Sequence, residues 1–216
     1  TIGGGDCNVR VTFTVPAAGQ YDVHFTHWEG TGGAYYEMSM APGAWLNDWD
    51  TQWTLVGGPY TGTPALPNSA ALGMTPPTTP GWWNVVTRPV VFAANNPTTY
   101  NSLIEKPIAD FVAAVAGAAA PLGSGEVPVM NLADLNNPNR EMLSNDIDFP
   151  ATAADDNNFA TAALGTFRFN AGVHTFNIRC DDLCAIRFGN GMGSVDRGFG
   201  ISGYPREEEA SRYWVE

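Results

Sequence analysis

Positive charge is scarce in this chain of 216 residues. It carries 10 lysine and arginine side chains, of which only Lys106 is a lysine, against 22 aspartates and glutamates. The resulting formal net charge of −12 repels phosphate backbones and anionic lipid headgroups. The composition therefore argues against nucleic acid as a partner and favours divalent cations such as Ca²⁺ as counterions.

Long apolar runs are also lacking. No segment approaches the roughly 18 to 20 consecutive apolar residues of a membrane-spanning helix, so the sequence predicts no membrane span. The chain begins at Thr1 with neither a methionine nor an apolar signal segment. We interpret it as a mature or excised portion of an extracellular or cell-surface protein.

Cysteine is limited to Cys7, Cys180 and Cys184, an odd number that leaves one thiol over if disulfides form within the chain. Cys180 and Cys184 flank three residues, and in a hairpin their Cβ atoms would face each other at disulfide distance. The alternative pairs Cys7 with one of them and ties the beginning of the chain to its end. A zinc site is disfavoured, because a CxxxC spacing alone lacks further ligands.

Glycine, proline and tryptophan are abundant, with 24, 16 and 7 residues respectively, while charged residues make up only 15%. Many short strands joined by turns suit this composition better than a helical bundle does. We therefore predict a mainly β fold, an antiparallel β-sandwich of jelly-roll type. The 44% of hydrophobic residues are enough to fill its core.

Alternation of apolar and polar residues locates the first strand. From Cys7 to Val15 the apolar residues Val9, Val11 and Phe13 alternate with polar ones, which is typical of a half-buried strand. The apolar face of this strand needs a partner.

The chain divides into three parts. Residues 1–46 hold three predicted strands of a meander, and residues 145–216 return to a strand pattern, so each part is interpreted as one half of a sandwich. Residues 47–144, with scattered tryptophan and repeated proline and glycine, are expected to form an extended connector. The apolar spacing over 107–116, which starts with a proline, predicts one short helix there.

Two stretches resemble the protective-antigen-type domain, a lectin-like β-sandwich of toxins, flocculins and adhesins. Residues 165–188 (GTFRF, then GVHTFNI and DDLCAIRF) resemble the opening half of that domain, and residues 16–43 (PAAGQYDVHF, then WEGTGGA and APG) resemble its closing half. The halves stand in inverted order. This order implies a circularly permuted domain or one split between repeats, similar to tandem secreted repeat proteins of environmental bacteria.

The resemblance implies a role for Asp181 and Asp182. Sugar-binding members of that family hold calcium, and through it sugar hydroxyls, with an adjacent aspartate pair. Ca²⁺ takes roughly six to eight oxygen ligands, which neighbouring carboxylates supply. However, Leu183 follows the pair where the family commonly has glycine, and aspartates also cap turns by hydrogen-bonding the backbone. A calcium site and a hairpin-turn cap are therefore both open.

No constellation of catalytic residues is visible. His24, His27 and His174 have no nucleophile at a diagnostic spacing, and nothing singles out a glycosidase pair among the 22 acidic residues. We predict that the chain is not an enzyme. Tryptophans such as Trp45 are interpreted mainly as packing residues and secondarily as platforms for stacking sugars.

The expected function is structural or adhesive. A half-sandwich exposes strand edges and an apolar face, so each half requires a partner. We expect the sandwich to be completed between chains or repeats through Val9, Val11 and Phe13 at one end and Tyr213 and Trp214 at the other. Such contacts give a head-to-tail homopolymer, a fibre or stalk. The alternative is a calcium-dependent, carbohydrate-binding adhesin module with surface glycans as partners.

Overall fold

A computed structural model shows thirteen β-strands in the part of the chain that it describes, which is residues 6–29, 33–45, 53–58, 77–89, 120–134, 146–150, 159–181, 183–188, 193–196 and 212–214. The strands are β1 (Asp6–Val15), β2 (Gly19–Glu29), β3 (Tyr35–Pro42), β4 (Thr54–Leu55), β5 (Trp83–Pro89), β6 (Gly123–Val127), β7 (Asn131–Ala133), β8 (Ile147–Asp148), β9 (Phe159–Phe169), β10 (Gly172–Asp181), β11 (Leu183–Phe188), β12 (Gly193–Asp196) and β13 (Arg212–Trp214).

These strands form two sheets that share one core. The six-stranded sheet has the order β1-β10-β3-β7-β8, with β4 beside β3, and the seven-stranded sheet has the order β13-β12-β11-β2-β9-β5-β6. Buried side chains from both sheets belong to a single hydrophobic cluster. The prediction of a mainly β, sandwich-like fold is confirmed.

The first three strands alternate between the sheets. β1 and β3 lie in the six-stranded sheet on either side of β10, whereas β2 lies in the other sheet between β9 and β11. The predicted three-strand meander is therefore wrong, although its strands exist. The predicted hairpin around Asp181 and Asp182 is wrong for the same reason, since β10 and β11 belong to different sheets.

Tyr21 fixes the crossing from β1 to β2. Its hydroxyl donates to the carbonyl oxygen of Ala17 (2.7 Å) and accepts from the Ala17 N–H (3.4 Å). Its ring packs 5.9 Å from that of Phe169 across the β2–β9 pair. This tyrosine corner is an arrangement typical of β-sandwiches, and here it holds the bend that carries the chain from one sheet to the other.

The first and last parts of the chain close on each other. β1 pairs with β10 from Asp6 opposite Asp181 to Val15 opposite Gly172, and β2 pairs along its length with β9. Each half thus receives its complementary strands from the same chain. A single chain can therefore close its own sandwich, and completion between chains or repeats stays a prediction.

The middle part also enters the sandwich. β5 lies between β9 and β6, and β7 pairs with β3. The described portions of residues 47–144 thus supply strands to both sheets, where an extended connector was expected. The helix predicted over 107–116 lies outside the described residues.

Aromatic rings fill much of the core. The Trp83 ring lies 4.3 Å from that of Phe167, and its indole N–H donates to the carbonyl oxygen of Val56 (2.9 Å). Phe167 folds over Gly165, where an added Cβ would lie 2.3 Å from the end of the ring. This position therefore requires glycine because of the close approach of the ring.

Candidate functional site

An exposed tryptophan lies at one end of the six-stranded sheet. The Trp45 side chain is 36% exposed and Val173 is 43% exposed, although most large hydrophobic side chains of the described residues are buried. Thr14 stands opposite Val173, and it is exposed like Thr12 and Pro42. We call Thr12, Thr14, Pro42, Trp45 and Val173 the Trp45 platform.

Thr175 anchors this platform from beneath. Its hydroxyl donates to the carbonyl oxygen of Gly43 (2.7 Å) and accepts from the backbone N–H of Trp45 (3.0 Å). The Thr12 hydroxyl lies 3.0 Å from the same oxygen. Because the Thr175 proton is engaged by Gly43, Thr12 is the donor in that contact. Thr175 is fully buried, so these bonds are shielded from water.

The indole of Trp45 is itself held. Its N–H donates to the carbonyl oxygen of Pro42 (2.5 Å), and the turn that allows this passes through Gly43 at φ 94°, a conformation that favours glycine. The N–H of Gly43 also donates to the carbonyl oxygen of Val173 (2.7 Å). The ring thus keeps one orientation, with its polar atom satisfied and its surface partly exposed.

This geometry suits stacking on an uncharged ligand. The face of an indole is electron-rich and attracts C–H groups such as those on the apolar side of a sugar ring. A side chain that is already ordered loses little conformational entropy on binding. The described residues of the platform carry hydroxyl and apolar groups and no charge, so they can hydrogen-bond to a sugar without forming ion pairs.

Behind the platform the outer face of this sheet stays polar but is buried. Glu37 and Asn177 alternate with core residues along β3 and β10, and both are buried. Arg179 stands opposite Glu37 in the β10–β3 register, and its guanidinium lies 5.7 Å from the centre of the Tyr35 ring. In the described structure, access from solvent is therefore concentrated at the Trp45 end of the face.

Two carboxylates with shifted pKa values lie elsewhere, in the seven-stranded sheet. Burial raises the pKa of Asp22 above its ordinary 3.8, opposed by a hydrogen bond from the Thr166 hydroxyl (3.1 Å). Desolvation also raises the pKa of Glu126, but hydrogen bonds from Thr78 and Thr79 outweigh it and bring the pKa below the ordinary 4.5. The Glu126 carboxylate accepts from the Thr78 N–H (2.6 Å) and hydroxyl (2.8 Å), so it clamps that turn to the sheet.

The predicted calcium residues are only partly placed. Asp181 ends β10, opposite Asp6 on one side and Tyr35 on the other, whereas Asp182 lies outside the described residues. Within the part of the chain that the structure describes, no three histidine, cysteine, aspartate or glutamate side chains are grouped to hold a metal. Calcium binding at Asp181 and Asp182 remains a prediction.

The three cysteines are distributed over both sheets. Cys180 is fully buried and disulfide-bonded. Cys7 stands opposite it on β1, and Cys184 lies on β11 in the other sheet. The pairing of Cys7 with Cys184 is thereby ruled out, and the two pairings that involve Cys180 remain.

The residues predicted to join neighbouring chains lie within intrachain sheets. Val9, Val11 and Phe13 belong to β1 and pair with β10, and the ring of Phe13 packs within the same chain. Tyr213 and Trp214 belong to β13, which pairs with β12. In the single chain these strands thus have partners of their own, and the prediction that these residues join neighbouring chains stays a prediction.

The histidines are separated by the fold. His27 is buried in the core among aromatic rings, with that of Tyr36 5.0 Å away. His174 is buried on β10, where its Nε2 lies 2.8 Å from the carbonyl oxygen of Asn170, and His24 is partly exposed on β2. The structure does not gather these side chains into one site.

Sequence reasoning named Trp45 but did not foresee the platform. The Pro42–Gly43 turn before it was one available signal, since glycine at a positive φ allows the indole to fold back. The decisive contact comes from Thr175, which lies 130 residues further along the chain. No local pattern reveals such a contact.

Comparison of the chain with protein families, with curated proteins and with solved structures finds no match in any of the three. The resemblance to the protective-antigen-type domain thus stays a prediction that depends on short motifs. The described residues include no helix long and apolar enough to cross a membrane.

Proposed function

We propose that this chain is an adhesive β-sandwich module of a surface protein and that it binds carbohydrate at the Trp45 platform. The observation that carries the proposal is the partly exposed indole of Trp45, held in one orientation through its backbone and its ring nitrogen. A tryptophan that is 36% exposed, with its ring nitrogen already hydrogen-bonded, offers an ordered apolar surface to a ligand.

Binding would combine stacking and hydrogen bonding. The apolar face of a sugar ring would lie on the indole of Trp45, and the exposed hydroxyl of Thr14 would reach the sugar hydroxyls at the rim. A site of this size gives weak affinity for a single sugar, because little surface is buried. Long glycans with repeated units, bound by several linked copies of the module, would therefore be the effective partners.

The test is affinity electrophoresis in gels that contain soluble polysaccharides. Trp45→Ala should weaken retardation at least about tenfold, which corresponds to a loss of about 1.4 kcal/mol. Leu122→Ala is the matched control, since Leu122 is also an exposed large hydrophobic residue, at 52%, but lies outside the platform. Equal retardation of both variants, or no retardation of the unchanged chain by any polysaccharide, would contradict the proposal.

The calcium-dependent form of this function has its own test. Asp6 stands opposite Asp181 in the β1–β10 register, and Asp182 follows Asp181 in sequence, so this is the position at which we propose that calcium would bind. Adding a chelator, and separately changing Asp181→Asn, should abolish retardation if calcium holds the sugar. If stacking on Trp45 suffices, retardation persists under both conditions.

Head-to-tail assembly is the second candidate function. The observation that favours it is β1, a ten-residue strand that is outermost in the described six-stranded sheet and is followed by its first proline only at Pro16. Long strands at sheet margins are templates for pairing with another chain. The net charge of −12 opposes contact between copies, so assembly should require salt or divalent cations.

A proline substitution tests this edge. The Gly43 N–H donates to the Val173 carbonyl oxygen, so the backbone N–H and C=O of Val173 point toward β3. Thr14 stands opposite Val173, and the two therefore form a pair without hydrogen bonds between them. The backbone N–H and C=O of Thr14 consequently point away from β10, toward the open edge. Thr14→Pro should remove an outward N–H and block assembly, whereas Thr14→Ala should not. Sedimentation velocity over a concentration series measures this. A chain that stays monomeric at all concentrations, with and without Ca²⁺, would exclude edge assembly.

A further inference from the structure

We infer that the disulfide partner of Cys180 is Cys7, so that one covalent bond joins β1 to β10 and Cys184 remains a thiol. Cys180 is fully buried and disulfide-bonded. With three cysteines in the chain, only Cys7 and Cys184 can be its partner within the molecule.

The register favours Cys7. It stands directly opposite Cys180 in the antiparallel β1–β10 pair, with Asp6 opposite Asp181 on one side and Asn8 opposite Arg179 on the other. Opposed residues of such a pair have Cα atoms about 4.5 to 5.5 Å apart. Disulfides span Cα separations of about 4.4 to 6.8 Å. The two strands therefore bring these backbones to bonding distance without any displacement.

The sheet assignment disfavours Cys184. β10 keeps its pairing through Asp181, and β11 begins at Leu183 in the other sheet, where Cys184 stands opposite His27. Sheets that face each other lie about 10 Å apart, whereas a disulfide tolerates a Cα separation of at most roughly 7 Å. The hairpin that would bring Cys184 back to Cys180 is absent, since β10 and β11 belong to different sheets.

Formation of the bond is an oxidation that needs an acceptor. The two thiols lose two protons and two electrons, and a low-molecular-weight disulfide or a thiol–disulfide oxidoreductase takes up the electrons and is reduced to its dithiol form. An oxidising compartment supplies such acceptors, which fits an extracellular protein.

The bond would hold the outermost strand in place. β1 carries Thr12 and Thr14 of the Trp45 platform and contacts the rest of the described sheet only through β10. While Cys7 is bonded to Cys180, β1 cannot leave its own sheet and exchange with that of another copy. Addition of a second copy at the free edge of β1 remains open to the bonded chain.

Peptide mapping of the intact, non-reduced chain tests the assignment. Free thiols are alkylated first, and the chain is then cut before aspartates, which separates Cys7 (residues 6–21), Cys180 (residues 156–180) and Cys184 (residues 182–195). We expect the first two peptides linked and the third alkylated. A link between the second and third peptides, or no link at all, would overturn the inference.

Amide hydrogen exchange supplies a second readout. The variant Cys184→Ser should keep the bond and the exchange rates of residues 6–15, whereas Cys7→Ser should accelerate exchange over that range about tenfold or more. Strand β5 (residues 83–89), which lies between β9 and β6 in the other sheet, is the internal control and should stay protected in both variants. Acceleration over residues 6–15 in Cys184→Ser but not in Cys7→Ser would also refute the assignment.

Discussion

Gly165 lies in the middle of β9, between Val23 of β2 and Trp83 of β5. A Cβ at this position would lie 2.3 and 2.6 Å from two ring atoms of Phe167 and 2.9 Å from the backbone oxygen of Trp82. Its φ is not positive, so the constraint is one of space. We therefore predict that Gly165→Ala destabilises the fold by overpacking.

The magnitude follows from what can move. The Phe167 ring is buried and packed against Trp83, and the oxygen of Trp82 belongs to the backbone, so neither neighbour can yield cheaply. Overpacking of this kind costs about 3 kcal/mol. Reduced entropy of the unfolded chain offsets up to about 1 kcal/mol. The net loss of about 2 kcal/mol should lower the midpoint of thermal unfolding by roughly 4 to 8 °C in a chain of this size.

Urea unfolding followed by tryptophan fluorescence measures the change, with Gly19→Ala as the control. A Cβ at Gly19 meets nothing within 4 Å, so that variant should keep or slightly gain stability. Phe167→Leu should relieve the clash, and the double variant should be more stable than the sum of the single changes by at least about 1 kcal/mol. Equal stability of Gly165→Ala and Gly19→Ala, or strict additivity, would refute the reasoning.

Three further predictions concern charge and the disulfide. Glu126→Gln should lower the free energy of unfolding by about 1 kcal/mol at pH 7. Because the pKa of Glu126 in the folded chain lies below 4.5, this difference in stability should disappear as the pH falls through that lowered value. Urea unfolding from pH 7 to pH 3 checks this. Asp22→Asn should show the opposite pH dependence. The pKa of Asp22 in the folded chain is raised above 3.8, so the stability that this side chain contributes at low pH is lost as the pH rises. In the same assay the variant should therefore gain stability relative to the unchanged chain between pH 3 and pH 7. Reduction of the disulfide should lower the free energy of unfolding by about 5 kcal/mol if Cys180 is bonded to Cys7, because that bond closes a loop of about 170 residues. The loss should be only about 2 kcal/mol if Cys180 is bonded to Cys184, because that bond closes a loop of about five residues. Parallel urea curves with and without reductant distinguish these two values.

The positions of several strands could be predicted from the sequence, but not their sheets. Alternation over Cys7–Val15 predicted a strand that the structure places at Asp6–Val15. Alternation reports only that one face is buried, and it is the same for either sheet of a sandwich. The crossing at residues 16–18 depends on the hydrogen bonds of Tyr21 to Ala17, which no periodicity encodes.

β9 shows a second limit of periodicity. The sequence indicated only a general strand pattern over residues 145–216, whereas β9 begins at Phe159 and is buried on both faces over most of its length. A strand that lies between two others and is covered on both sides loses the apolar–polar alternation that would reveal it. Its small residues Ala160, Ala162 and Ala163 fit the close packing but carry little strand propensity.

The candidate site was less predictable than the fold, because its geometry depends on distant contacts. Trp45 was interpreted as a packing residue, and its exposure depends on the bond to Thr175. The aspartate pair was interpreted through a predicted hairpin that the fold replaces with a crossing between sheets. Sequence patterns identified residue types suited to binding, while the topology decided which of them lie together.

Closure of the sandwich within one chain changes what adhesion requires. If the two halves of the sandwich came from different chains, association would bury the whole core, and the free energy gained would be comparable to that of folding. Since β1 and β2 already pair with β10 and β9, a contact between copies or with a glycan can use only the surface, which here means the β1 edge and the Trp45 platform.

Such surface contacts are weak singly and, between copies, are opposed by a net charge of −12. Linking several modules raises the effective concentration of each further contact and can strengthen binding about 10²- to 10⁴-fold without any new interaction. Adhesion by this module therefore calls for display in multiple copies, and a linked pair of modules should adhere far more strongly than the same number of single ones.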